Sequence, residues 1–128
     1  DRLQRWDYAF YAEKLKKEKY AIDDEMLKPY FKLENVINGV FIIAGKLFGL
    51  RFVENKAVPV YHPEVKAYDV TDEAGNFVAV FYADYFPREG KRNGAWMTSY
   101  RDQRVLDGRD VRPHVSIVCN FTKPTETK

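Results

Sequence analysis

Residues 33–54 read Leu-Glu-Asn-Val-Ile-Asn-Gly-Val-Phe-Ile-Ile-Ala-Gly-Lys-Leu-Phe-Gly-Leu-Arg-Phe-Val-Glu, and a change of period inside them decides the fold class. Leu33, Val36, Ile37, Val40, Ile43, Ala44, Leu47 and Phe48 recur at i, i+3, i+4 and i+7, the spacing of one helix face sustained for about four turns. Phe41 and Ile42 widen that face, so the helix is expected to be covered on more than one side. A chain of 128 residues supplies little material for such a cover, which points to a missing neighbour. Gly49 stands where a left-handed terminating residue belongs. Beyond it, Arg51 to Glu54 opens a series of short runs rich in Val, Phe and Tyr: Val65 to Thr71, Phe77 to Tyr85, Ala95 to Tyr100 and Val115 to Phe121. These read as strands.

Towards the N-terminus, Tyr8, Tyr11, Ala12 and Leu15 also keep helical spacing, with Glu13, Lys14, Lys16, Lys17 and Glu18 mostly on the other face. Asp23 or Asp24 is suited to cap a short turn through Leu27. Pro29 lacks an amide donor and disfavours helical geometry at Lys28, so Pro29 to Phe31 is expected to be a connector. Towards the C-terminus, Asp72-Glu-Ala-Gly-Asn76 is a hairpin turn between two strands, and Leu106 to Arg112, with Asp-Gly and several charges, reads as a loop. Helices followed by strands give an α+β fold: a helical part over 1–50 and a strand-rich part over 51–128 whose small sheet is mainly antiparallel.

Composition narrows the function classes. Apolar residues make up 45% of the chain and aromatic residues 16%, which excludes a disordered polymer and suits one modest core. Lys and Arg number 21 against 19 Asp and Glu, with the signs interspersed, so no single-sign field marks a nucleic-acid partner. Lys91, Arg92, Arg101 and Arg104 around Trp96 and Tyr100 only imitate a base-stacking surface. The longest apolar run, Val36 to Leu50, is interrupted by Asn38, Gly39, Gly45, Lys46 and Gly49, far short of the roughly 20 apolar residues of a membrane span. No signal peptide is expected either. The lone Cys119 has no partner for an internal disulfide and reads as a small buried hydrophobe, consistent with a reducing compartment.

The chemistry is sparse. His62 and His114 are far apart and form no helix-face metal pair. His62, within Val58-Pro-Val-Tyr-His-Pro63, is expected to fix a turn, and His114, after Pro113, to enter a strand. Ser99 and Ser116 lack the context of an activated nucleophile. Arg88 and Glu89 either meet substrate charges or are simply solvated. Asp84 is more unusual, because a carboxylate in a dense aromatic strand needs a cation or amide partner to offset desolvation; a structural ion pair is the expectation.

Asp84 to Met97 joins two strands through a loop crowded with charge and broken by Pro87, Gly90 and Gly94. Gly94-Ala95-Trp96 then offers a nearly side-chain-free backbone beside one large ring. Such a backbone at a sheet edge can pair with an extended peptide. Trp96 itself either plugs the core or lines a cleft.

The order of residues closely resembles a known family. Trp6-Asp7 is followed by Phe10-Tyr11, Leu27-Lys-Pro-Tyr-Phe31, Gly39-Val-Phe41 with Leu47-Phe-Gly49, and Val60-Tyr-His-Pro63. Phe81-Tyr-Ala-Asp84, Pro87-Arg88 with Lys91, Gly94-Ala-Trp-Met97, and Cys119-Asn120 with Lys123-Pro124 complete the series. This resembles the zinc metallopeptidases of the thimet oligopeptidase and oligopeptidase A family, and most of all their bacterial peptidyl-dipeptidase (dipeptidyl carboxypeptidase) branch.

The resemblance implies a cytoplasmic peptidase, with these residues forming part of a larger, mainly helical zincin-like catalytic domain. It further implies that a His-Glu-x-x-His helix, which with a later glutamate binds zinc and activates water, follows shortly after Lys128. Residues 1–128 would then carry no catalytic residue and no metal ligand, bind no zinc and be inactive alone. Gly94, Ala95 and Trp96 would align the substrate backbone. Without covering helices, the isolated chain is expected to self-associate through apolar surface or strand edges. The competing reading is a non-catalytic module that pairs peptides, or a second copy of itself, at exposed edges.

Overall fold

A computed structural model describes residues 2–21 and 24–124, excepting the side chains of residues 24 and 25. The chain divides into two compact units, Asp1–Val40 and Phe41–Lys128.

The first unit is helical. Helix α1, Asp7–Tyr20, is entered through a reciprocal pair: the Gln4 N–H donates to the Asp7 carboxylate at 2.9 Å and the Asp7 N–H to the Gln4 carbonyl at 3.0 Å. It ends at Ala21, whose φ of 50° turns the chain out of the helix while its N–H still reaches the Lys17 carbonyl. Tyr11 and Leu15 lie on α1 as their spacing predicts, and both are about half exposed. Asp23 lies outside the described residues. Asp24–Leu27 forms a single turn, α2, and the connector expected at Pro29 is instead a 3₁₀ turn, Lys28–Phe31. Pro29 sits in its first turn, where a missing donor is no loss.

Helix α3, Leu33–Phe48, begins in this unit and runs into the second. It ends at Gly49 with φ +65° and an N–H to the Gly45 carbonyl at 2.9 Å. None of its side chains is buried, and Val40, Ile43 and Leu47 are more than half exposed. The apolar face that the sequence marks is therefore largely uncovered among the described residues. No helix among them is long and apolar enough to cross a membrane.

The second unit is built on a five-stranded sheet in the order β1-β2-β3-β7-β4, formed by Arg51–Glu54, Lys66–Thr71, Phe77–Asp84, His114–Val118 and Trp96–Arg101. Asp72 closes the β2–β3 turn, its side chain and N–H bonding Asn76. β3 and β7 run parallel and the other neighbours antiparallel, so the sheet is mixed. Val65, Ala67, Val80 and Tyr82 make the buried cluster, with Val58 against it. On the opposite pleat, Phe41 of α3 stacks on Phe52 with centroids 4.3 Å apart and meets Tyr68 and Phe81 edge-on.

The segment Leu106 to Arg112 is not a plain loop. Arg104–Leu106 (β5) and Arg109–Val111 (β6) pair as a two-stranded hairpin. Asp107 and Gly108 both have positive φ, 50° and 74°, the requirement of a tight type I′ turn whose twist matches its strands.

At Gly49 the left-handed backbone has only glycine as an unstrained occupant. An added Cβ would also lie 2.9 Å from the Glu73 Cγ, a flexible side chain able to move aside. Gly49→Ala is therefore expected to destabilise the protein by about 1–2 kcal/mol through its backbone alone, read as a fall in thermal midpoint. An unchanged midpoint would show that the α3 terminus is not held there.

Candidate functional site

β3 ends on a buried charge. Asp84 is 2% exposed, and both its carboxylate oxygens are engaged. Oδ1 accepts from Arg88 Nη1 at 2.8 Å and Lys91 Nζ at 2.8 Å; Oδ2 accepts from Arg88 Nη2 and the Tyr61 hydroxyl, each at 2.9 Å. Lys91 also donates to the Asp84 and Phe86 carbonyls at 3.2 and 2.7 Å, and its own side chain is 4% exposed. The Arg88 guanidinium lies 5.7 Å from the centre of the Tyr61 ring.

The ion pair expected of Asp84 is thus present, with two cations in place of one. Burial pushes the Asp84 carboxyl up, but the Arg88, Lys91 and Tyr61 hydrogen bonds outweigh it and hold its pKa at about 2. Burial, then the hydrogen bonds with Tyr100 and Asp84, push the Tyr61 phenol strongly upwards. The hydrogen bond to Asp84 raises the Arg88 guanidinium. Arg88 is therefore neither solvated nor free for substrate, whereas its neighbour Glu89 is exposed. Lys91 is likewise withdrawn from any phosphate-binding surface.

The same anchor arranges the chain around it. Cys119 N–H donates to the Asp84 carbonyl at 2.7 Å and Phe121 N–H to the Tyr85 carbonyl at 2.8 Å. Between them, the Asn120 carboxamide donates to the Arg92 carbonyl at 3.0 Å and the Gly94 carbonyl at 2.7 Å. The loop 85–95 is thereby held at both ends. Gly94, φ +99°, turns it into β4, and an added Cβ there would meet nothing within 4 Å.

β4 is the last strand of the sheet, with one side paired to β7 and the other open among the described residues. The N–H groups of Cys119 and Phe121 go to the β3 side, so alternation directs those of Val118 and Asn120 towards β4. Val118 faces Trp96, which places the backbone groups of Trp96 inward and those of Ala95 and Met97 on the open edge. Of the three residues expected at a peptide-pairing edge, Ala95 faces out, Gly94 has its carbonyl on Asn120, and Trp96 pairs inward. Trp96 is 38% exposed, so it is no core plug.

The far end of β4 is fixed by rings. Register shifts between Ser99 and Arg101, and Tyr100 in that irregularity meets Tyr61 and Tyr82 at 6.1 and 5.7 Å. The Tyr82 hydroxyl is 3.2 Å from His114 Nδ1, and burial lowers the His114 pKa. His62 holds the turn expected of it, its Nδ1 accepting the Glu64 N–H and its carbonyl the Val65 N–H. Among the described residues no three His, Cys, Asp or Glu side chains converge as a metal site. The described residues therefore supply no set of donors that fits a zinc ion.

Sequence reading missed Asn120, Tyr61 and the second cation on Asp84. Tyr61, Lys91 and Asn120 all stand in the stretches that carry the family resemblance, but only Lys91, one loop away from a carboxylate in need of a partner, has a physical signal for its contact.

The model of peptidase family M3 matches residues 1–128. The chain belongs to this family. It is 46% identical over 125 residues to the dipeptidyl carboxypeptidase of Salmonella typhimurium, covering 97% of the chain and 18% of that protein. It is 40% identical over 129 residues to oligopeptidase A of Escherichia coli, covering 100% and 19%, and 37% identical over 131 residues to a thimet-like oligopeptidase of Dictyostelium discoideum, covering 99% and 19%. The chain thus spans about a fifth of the length of these relatives.

In this M3 chain the Asp84 anchor makes an acid-labile contribution. Its pKa when folded, about 2, lies below the ordinary 3.8, so its stabilisation is complete above about pH 4 and is lost as pH falls towards 2. Asp84→Asn leaves two cations facing a neutral amide and is expected to cost about 3–5 kcal/mol at neutral pH. Unfolding midpoints measured from neutral pH to pH 2 should show the two proteins converging below about pH 4. A constant gap across that range would mean that Asp84 is not the group that titrates.

Proposed function

We propose that residues 1–128 form one wall of the peptide cleft in a longer zinc peptidase, with the open edge of β4 aligning an extended substrate. The observation that carries this reading is the outward backbone of Ala95 and Met97, next to a Gly94 with open space where a Cβ would stand. Strand pairing of that kind is indifferent to side chains and suits hydrolysis of short peptides of varied sequence. Membership of peptidase family M3 supports the peptidase assignment.

The zinc ligands and the general base belong to residues outside this chain, which alone is inactive and binds no zinc. The relatives' names support two modes of cleavage, removal of C-terminal dipeptides or internal cutting of oligopeptides. We favour the first, because identity is 46% to the dipeptidyl carboxypeptidase and 40% to oligopeptidase A. The buried free Cys119 supports a cytoplasmic setting. The exposed apolar face of α3 supports a larger, mainly helical domain that covers it in the whole protein.

Three measurements test the reading. The whole protein should cleave free-acid peptides of four to eight residues, release dipeptides, lose activity with a chelator and regain it with zinc. Amidating the peptide C-terminus should abolish cleavage by a peptidyl-dipeptidase and spare an internal cutter. Chelator-insensitive turnover would overturn the zinc assignment. Residues 1–128 alone should give blank metal and cleavage assays and associate in light scattering, and turnover or stoichiometric zinc in them would refute the division of labour.

A further inference from the structure

Asn120 sits just beyond β7, at the point where that strand stops pairing with β4. Its neighbours Cys119 and Phe121 are tied by their backbone N–H groups to the Asp84 and Tyr85 carbonyls, so Asn120 has a fixed base. From that base the carboxamide gives one N–H to each of two carbonyls, Arg92 and Gly94. Two acceptors leave only one sense for the amide group, because the reverse would set Oδ1 against both carbonyl oxygens. Oδ1 is buried without a partner among the described residues, so the interaction is kept at the expense of an acceptor that they leave unmet.

The Gly94 bond has a directional consequence. There is no cis peptide bond among the described residues, so the carbonyl of Gly94 and the N–H of Ala95 point opposite ways across one planar unit. Drawing the Gly94 carbonyl in towards Asn120 turns the Ala95 N–H out to the open edge. Glycine at 94 would otherwise leave this plane free to rotate, since no side chain restrains it.

We propose that Asn120 is a positioning residue that aims the Ala95 N–H at a carbonyl of the bound peptide. This rests on the peptide-pairing role of β4 and identifies what fixes its donor. Asn120 touches no substrate; it acts through the Gly94–Ala95 peptide plane. Losing the amide should not unfold the sheet, because the Cys119 and Phe121 bonds remain. It should loosen one donor.

The test uses the whole protein and a pentapeptide substrate in which each non-scissile amide is replaced in turn by an (E)-alkene, removing donor and acceptor while keeping shape. The unmodified protein is expected to lose about tenfold in kcat/KM at one position. Asn120→Asp, which has the same outline but sets a carboxylate against two carbonyls, should process the parent peptide about tenfold less well and lose less than twofold more on that replacement. Gly49→Ala, a variant weakened elsewhere, should keep the full tenfold sensitivity and so separates positioning from stability.

If the unmodified protein is insensitive at every position, the pairing role of β4 fails. If it is sensitive and Asn120→Asp is equally so, pairing stands and the role of Asn120 is refuted. Should Asn120→Asp not fold, Asn120→Ala, which removes the donor without adding charge, is read by the same two criteria.

Discussion

One carboxylate holds the strand-rich unit in its shape. Asp84 combines near-complete burial with two cations and a phenol, a combination stable only while every partner is present. A lone ionised group at that depth would be strongly unfavourable; four hydrogen bonds to its two oxygens offset the desolvation. Because its partners come from the turn at Tyr61 and the loop at Arg88 and Lys91, satisfying the charge also fixes where those segments lie. The backbone carbonyl of the same residue accepts from Cys119 and Lys91, which adds the end of β7 to the assembly.

The position of β4 follows from this anchor, although the donors to the Asp84 carboxylate, Tyr61, Arg88 and Lys91, all lie outside that strand. At its start, Asn120 grips the Arg92 and Gly94 carbonyls from a base secured on Asp84 and Tyr85. At its far end, Tyr100 packs against Tyr61, whose hydroxyl is spent on the carboxylate. Two routes of contact, one through backbone and one through rings, thus join the buried charge to the open edge. Both routes start from the Asp84 carboxylate, which has one fully satisfied arrangement, and a half-satisfied one would be unstable at that depth.

Much of this is legible in the sequence where the determinants are local. The face of α3, its stop at Gly49 and the Asp72–Asn76 turn each depend on residues within a few positions of one another, and each forms as its residues predict. The need of Asp84 for a cation or amide partner is also legible, since it follows from a carboxylate placed in a dense aromatic strand. The parallel pairing of β3 with β7 is not, because no short-range signal marks which distant strand completes a neighbour. The β5–β6 hairpin escapes for a different reason: the charges of Arg104 to Arg112 hide a two-residue Asp-Gly turn that is itself a strong hairpin signal. Asn120 lies beyond reach, its importance residing wholly in where Arg92 and Gly94 come to rest.

The two edges of the sheet differ in a way that bears on what β4 is for. β1 is four residues long and carries Arg51 and Glu54 at its ends, with Lys66 bonded to Glu54. Short length and charge are the usual means by which an edge is kept from pairing with another chain. β4 is six residues long, has no proline or lysine, and its one charged side chain, Arg101, is directed at the Arg112 carbonyl. Met97 on its open side is 77% exposed. An unguarded edge is a liability in a strand with no partner, and fixing it at both ends presents its backbone in a single register, which is the condition that the proposed pairing with an extended peptide requires.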